Sequence, residues 1–160
     1  MMAKMLINSN IGNKTNKDLK LAYEYLNKAI KLGNVASINL LGNMYKKGLY
    51  VKKDIEKAKS LYEEAASYNY VYAYNNLGKI YEDMKDYQKA FYYFEKSSLL
   101  GESYALNTLG EYYRKGIYVG INLDKAFELY NKALESPIDN IYPYAYYNLA
   151  KYFYLTGDVV

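Results

Sequence analysis

Two short motifs alternate four times along this chain, and this internal repeat limits its possible folds more than any other feature. The first motif is Leu-Gly with an aromatic residue three positions after the glycine. Its three strong copies begin at Leu41, Leu77 and Leu109, and a weaker fourth copy reads Leu149-Ala150 with Phe153. Four copies of one unit predict a stack of repeats, in which each unit packs only on its neighbours.

The second motif has the spacing of one helix face. A residue that can cap a helix is followed by alanine at +4, a large apolar residue at +8 and a small residue at +11. Its copies start at Asp18, Asp54, Asp86 and Asn122, and the last three are predicted N-caps. We name the Leu-Gly element helix A and the second element helix B.

The motifs together predict an all-α chain in which B and A helices alternate. The predicted helices cover about residues 18–32, 35–47, 54–68, 71–83, 86–100, 103–115, 122–135 and 142–156. Residues 1–17 are expected to form a degenerate helix or cap, and residues 18–160 the repeat array. Each strong helix A carries a glycine in its middle, which costs about 1 kcal/mol relative to alanine. We therefore expect close approach of helix A to helix B, with Ala58, Ala90 and Ala126 on the facing side.

The loop between helix A and helix B separates the units into two kinds. From the helix-A glycine to the helix-B alanine there are 16 residues in the first and third units and 12 in the middle one. Residues 48–54 and 116–122 also match in sequence. This pattern resembles the Sel-one-like repeat, a relative of the tetratricopeptide repeat with a longer loop, over about residues 18–156. The resemblance implies an α-α superhelix, a right-handed solenoid of antiparallel helix pairs.

Two features depart from that family. Tyr50 and Tyr118 stand where the family usually has a second glycine, and the last helix A has Ala150 and Phe153 in place of glycine and tyrosine. The orientation of the last helix is therefore open. Its apolar stripe has no helix B after it, so we expect either a longer array or a homodimer formed through this C-terminal helix.

The composition argues against an enzyme. The chain has neither cysteine nor histidine, which excludes Cys-His and Ser-His catalysis and the usual zinc sites. We predict no catalytic residue, no metal and no cofactor. The net charge of +4 is spread among interspersed acids and bases, and no apolar run approaches the ~20 residues of a membrane span. A cytoplasmic protein without a membrane span is the expectation.

The resemblance implies that the A helices line a concave groove and that their outward positions contact a partner. These positions are Asn39, Asn43, Lys46, Tyr72, Asn75, Lys79, Tyr104, Asn107, Glu111, Arg114, Tyr147 and Lys151. Three A helices share an asparagine three residues before the glycine. This amide either grips the backbone of an extended peptide or joins neighbouring A helices, and both interpretations stay open.

The sequence predicts a non-catalytic scaffold or adaptor that binds a peptide or a partner protein in this groove. The alternative is a nucleic-acid-binding helical repeat, which reads bases through paired side chains. The predicted groove mixes Glu82, Asp83 and Glu111 with Lys79 and Arg114, which suits phosphate poorly. We therefore expect no nucleic acid.

Overall fold

The computed structural model of the chain describes residues 15–136 and 143–157, and over these residues it contains helices and no strands. The helices are α1 (Asn16–Lys31), α2 (Val35–Lys47), α3 (Ile55–Ser67), α4 (Val71–Asp83), α5 (Tyr87–Leu99), α6 (Ser103–Lys115), α7 (Leu123–Leu134) and α8 (Pro143–Thr156). Their order confirms the predicted all-α class. Every bound lies within two residues of the prediction. Most of the predicted N-terminal cap, residues 1–14, lies outside the described residues.

Three of the B helices begin at the predicted caps. The side chains of Asp54, Asp86 and Asn122 each accept a hydrogen bond from the backbone N–H three residues later, at 2.8, 3.2 and 2.8 Å. The first B helix differs, because Thr15 is its N-cap and Asp18 closes a capping box by accepting from the Thr15 backbone. Helix α1 therefore begins two residues before the predicted start.

The helices form two compact units, residues 1–73 and 74–160, and α4 begins in the first and continues in the second. In the first unit, the A helix α2 packs on the B helices α1 and α3. In the second unit, α6 packs in the same way on α5 and α7, and α8 packs on α7. Each of these A helices thus contacts the helices that precede or follow it along the chain.

An aromatic ring of helix B lies directly against each helix-A glycine. A Cβ atom at Gly42, Gly78 or Gly110 would come within 2.6, 2.7 or 2.4 Å of the ring of Tyr62, Phe94 or Tyr130, respectively. The predicted close approach is therefore present, but the group facing the glycine is this ring and not the predicted alanine. Those alanines are nevertheless fully buried.

The ring is held by a hydrogen bond from its hydroxyl in the two long-loop units, but not in the middle unit. The Tyr62 hydroxyl donates to Asn43 Oδ1 at 2.7 Å, and the Tyr130 hydroxyl donates to Glu111 Oε1 at 2.8 Å. Both acceptors directly follow the helix-A glycine. The middle unit has Phe94, which carries no hydroxyl, and its residue at the acceptor position is a lysine. Ring and acceptor therefore match within each helix pair.

The two loop tyrosines, which stand where the resemblance predicts a glycine, adopt the left-handed backbone conformation that glycine favours. Tyr50 and Tyr118 have φ values of 65° and 66°. Their rings lie 5.5 Å from the rings of Tyr23 and Phe91, respectively, on the preceding B helix. The aromatic contact offsets the backbone strain that a non-glycine residue meets in this region.

Helix α8 packs as an A helix, which answers the open question of its orientation. Ala145 and Leu149 are buried, and the Tyr152 ring lies 4.8 Å from that of Phe127 in α7. Ala150, at the position of the three buried glycines, is exposed. None of the described helices is long and apolar enough to cross a bilayer.

Candidate peptide-binding groove

A groove of about 400 Å³ lies in the second unit between the A helices α6 and α8. Both helices present one face to it, because the lining residues follow the spacing i, i+3, i+4, i+7. They are Tyr104, Asn107, Thr108, Glu111, Tyr112 and Lys115 of α6, and Tyr144, Tyr147, Asn148 and Lys151 of α8, with Glu82 of α4 and Ile117. The groove therefore combines aromatic, amide and charged groups.

A pair of amides joins the two walls. Asn148 Nδ2 donates to Asn107 Oδ1 at 2.9 Å, and both side chains are buried. Within the described part of the chain, this leaves the Asn107 nitrogen and the Asn148 oxygen without a hydrogen-bond partner. One residue of an extended peptide presents its backbone N–H and C=O on the same edge, and this acceptor and donor match those two groups.

Glu111 is the most heavily bonded charge in the groove. It accepts hydrogen bonds from Arg114 at 2.6 and 2.8 Å, and the Lys115 ammonium lies 2.7 Å away. Burial tends to raise the pKa of Glu111, but hydrogen bonds from Arg114, Lys115 and Tyr130 outweigh it and lower the pKa to about 2. Glu111 is thus ionised at neutral pH, and its charge is matched within the protein.

The charge of Glu82 is likewise paired with hydrogen-bond donors of the protein. It accepts from Lys79 at 2.9 Å and from the Tyr112 hydroxyl at 3.3 Å. The hydrogen bond to Glu82 raises the pKa of Lys79 despite partial burial. Burial raises the pKa of Tyr104 and of Tyr112, so both phenols keep their protons at neutral pH.

Lys151 differs from the other cations of the groove. It is partly buried and forms no ion pair within residues 15–136 and 143–157. Tyr144 and Tyr147, two turns and one turn before it on α8, are each 62% exposed. This end of the groove therefore has an unmatched positive charge beside two accessible rings.

The twelve predicted contact residues fall into three groups. Five line the groove: Tyr104, Asn107, Glu111, Tyr147 and Lys151. Three others of the second unit lie in polar contacts: Asn75 with Glu102, Lys79 with Glu82 and Asp83, and Arg114 with Glu111. The remaining four, Asn39, Asn43, Lys46 and Tyr72, lie in the first unit, where Asn39 is buried and Asn43 accepts from Tyr62.

The shared asparagine acts in part as a link between helices. Asn75 Nδ2 donates to Glu102 Oε2 at 2.5 Å, and its Oδ1 is enclosed without a partner in the part of the chain that is described. Asn107 accepts from Asn148 and also lines the groove. The two interpretations of the amides are therefore compatible at Asn107.

Sequence reasoning missed several lining residues, namely Thr108, Tyr112, Lys115, Ile117 and Asn148. The helical period would have found most of them, because positions four and eleven residues after Tyr104 share its face. Asn148 was missed for another reason. In α8 the amide stands two residues before the Gly/Ala position, not three, so the fourth copy breaks the register.

Comparison with family models gives matches along almost the whole chain. The Sel1 repeat model matches residues 2–34, 35–67, 103–136 and 143–160. The tetratricopeptide repeat model matches residues 71–102, the unit with the short A–B turn. A comparison with curated proteins gave no match.

Two solved structures of bacterial proteins share the fold. A Sel1 repeat protein from Oxalobacter formigenes is 25% identical with a TM-score of 0.80, covering 97% of this chain and 63% of that one. The protective antigen c5321 of uropathogenic Escherichia coli, described as displaying an SLR fold, is 27% identical with a TM-score of 0.76, covering 96% and 32%. The chain thus spans less than two thirds of either protein. Both similarities confirm the α-α superhelix class of helical repeats.

Proposed function

This chain belongs to the Sel1 repeat family, and on that premise we propose that its second unit binds an extended segment of a partner protein in the groove between α6 and α8. The repeat fold is generally a scaffold for protein–protein interaction. The observation that carries the finer proposal is the groove itself, which is lined by the amide pair together with the accessible rings of Tyr144 and Tyr147. A peptide backbone would bond to the amides while its side chains contact the rings.

The proposed role is non-catalytic. The two carboxylates of the groove, Glu82 and Glu111, each accept hydrogen bonds from two or more side chains. A general base needs a pKa near the working pH, whereas that of Glu111 is lowered to about 2. These groups support the groove walls and are poorly suited to proton transfer.

The nucleic-acid alternative receives no support from the comparisons. Its binding would need several cations free to meet phosphates. In the groove, Lys115 lies against Glu111, and the neighbouring Lys79 lies against Glu82. A homodimer through α8 and a cytoplasmic location, both expected from the sequence, stay predictions.

Selection from a library of random 12-residue peptides displayed on phage tests the proposal. Enriched peptides would be measured by fluorescence anisotropy on the wild type and on the double variant Tyr147→Ser/Asn148→Ala. We expect at least tenfold weaker binding by the variant, because it loses a ring and half of the amide pair. Tyr92→Ser on α5 is the matched control, since Tyr92 is half exposed and does not line the groove.

Two outcomes would contradict the groove as the binding site. One is a library that yields no enriched peptide, and the other is equal affinity of the double variant and the wild type. Circular dichroism of both variants would verify that they remain folded.

A further inference from the structure

Among the residues that the structure describes, the charges around the groove are paired, with one exception. Lys79, Arg114 and Lys115 each lie close to a carboxylate three or four residues away on the same helix. Such i,i+3 and i,i+4 pairs are the usual way in which a helix matches its own charges. These three cations therefore have little need of an external anion.

Lys151 cannot form an ion pair of this kind within α8. The residues three and four positions away are Asn148, Tyr147, Tyr154 and Leu155, and α8 contains neither aspartate nor glutamate. The described carboxylates that line the groove, Glu82 and Glu111, already accept hydrogen bonds from other side chains. Within residues 15–136 and 143–157, Lys151 thus has no carboxylate partner, and its partly buried charge would be stabilised by an anionic group of a partner.

The amide pair and Lys151 lie close enough to act on one short segment. Lys151 follows Asn148 by three residues, which is about 4.5 Å along the axis of α8. An extended peptide advances about 3.3 Å per residue. A residue whose backbone N–H and C=O are bonded to Asn148 and Asn107 therefore places its own side chain, or that of a neighbouring residue, close to Lys151.

We infer that the groove selects an extended segment with an acidic side chain, whose carboxylate lies against Lys151 while the backbone N–H and C=O of one adjoining residue bond to Asn148 and Asn107, respectively. This inference rests on the proposed function and adds the chemical class of the partner. Tyr144 and Tyr147, which precede Lys151 on the same helix, supply ring contacts that tolerate many sequences, so the carboxylate is the main determinant of specificity.

The test uses the peptides enriched from the random library on the wild-type protein. We expect an aspartate or glutamate in most of them, and replacement of that residue by asparagine or glutamine should weaken binding about tenfold. The same replacement in the peptide should not change its affinity for the Lys151→Gln variant, because that variant lacks the positive charge that would pair with the carboxylate. Lys151→Glu should bind a lysine version of the peptide better than the acidic one.

Two controls separate charge from general damage. Lys132→Gln removes an exposed lysine of α7 that pairs with Glu128 and does not line the groove, so it should retain the preference for the acidic peptide. Raising the salt concentration from 0.05 to 0.5 M should weaken binding of the acidic peptide more than binding of its amide version.

The results distinguish this inference from the proposed function. Equal binding of the acidic and amide peptides, together with loss of binding by Tyr147→Ser/Asn148→Ala, would overturn the role of Lys151 and leave the groove as the site. An acidic preference that persists unchanged in Lys151→Gln would also overturn it. Binding unaffected by the double variant would overturn the groove itself.

Discussion

The α6–α7 pair and the α4–α5 pair place an aromatic ring against a glycine in the same way but fasten that ring differently. In the first pair, the Tyr130 hydroxyl is bonded to Glu111, the residue after the glycine. In the second pair, Phe94 lies against Gly78, and the residue after that glycine is Lys79. The shape of the contact is repeated from pair to pair, whereas its polar chemistry is not.

The long-loop pair of the first unit agrees with the α6–α7 pair. Tyr62 lies against Gly42 and donates to Asn43. A buried hydroxyl needs a partner, and leaving one without costs about 1–3 kcal/mol. A tyrosine ring therefore requires an acceptor beside the glycine, while a phenylalanine ring permits a lysine there. The comparison teaches that each position of the repeat is chosen together with its partner on the other helix.

The largest expected effect comes from filling the space under the ring. In Gly110→Ala, the added Cβ would lie 2.4 Å from the Tyr130 ring, which cannot withdraw because its hydroxyl is held by Glu111. We expect a loss of about 2–3 kcal/mol of unfolding free energy in urea denaturation. Gly78→Ala should cost about 1 kcal/mol less, since Phe94 has no such bond. Equal losses of unfolding free energy in the two variants, or a larger loss in Gly78→Ala, would show that the Tyr130–Glu111 hydrogen bond does not restrict the ring.

A smaller effect is expected from exchanging the ring chemistry. Phe94→Tyr alone should destabilise the protein, because the new hydroxyl meets Lys79 at the acceptor position. The double variant Phe94→Tyr/Lys79→Asn should recover about 1 kcal/mol, since it recreates the Tyr62–Asn43 pair. A double-mutant cycle by thermal denaturation measures this coupling. A coupling energy near zero would show that the match between ring and acceptor is incidental.

The smallest effect concerns the left-handed residues of the two kinds of A–B connection. Lys85 in the short turn has a φ of 62°, is exposed and forms no ring contact within the described residues, so Lys85→Gly should stabilise by about 0.5–1 kcal/mol. Tyr118→Gly relieves the same strain but loses the contact with Phe91, so its net change should be near zero. A clear gain in melting temperature for Tyr118→Gly would disprove the compensation.

Much of the fold could be predicted because each copy of the repeat carries the same local sequence signals. Period, caps and loop length occur together in several copies, so an ambiguous copy is interpreted from the others. The exception at α1 shows the limit, since Thr15 was overlooked when Asp18 was aligned with the caps of the other B helices. A capping box displaces the helix start without changing the periodicity.

The site was harder to predict because its contacts join residues far apart in sequence. Asn107 meets Asn148 across 41 positions, and Asn75 meets Glu102 across 27. No local pattern contains such pairs. The helix-A face was nevertheless found, and five of its predicted residues line the groove, because helical period alone decides which residues share a face.

The match between ring and acceptor has a consequence for recombination of such arrays. If the A helix of the middle unit replaced α6, Lys79 would stand in the place of Glu111. The Tyr130 hydroxyl would then lose the carboxylate that accepts its hydrogen bond. Transfer of α6 and α7 together carries the bond along intact. Because this bond joins helix A to the helix B that follows it, we expect a designed chimera with crossovers in the B–A turns to be more stable than one with crossovers in the A–B loops.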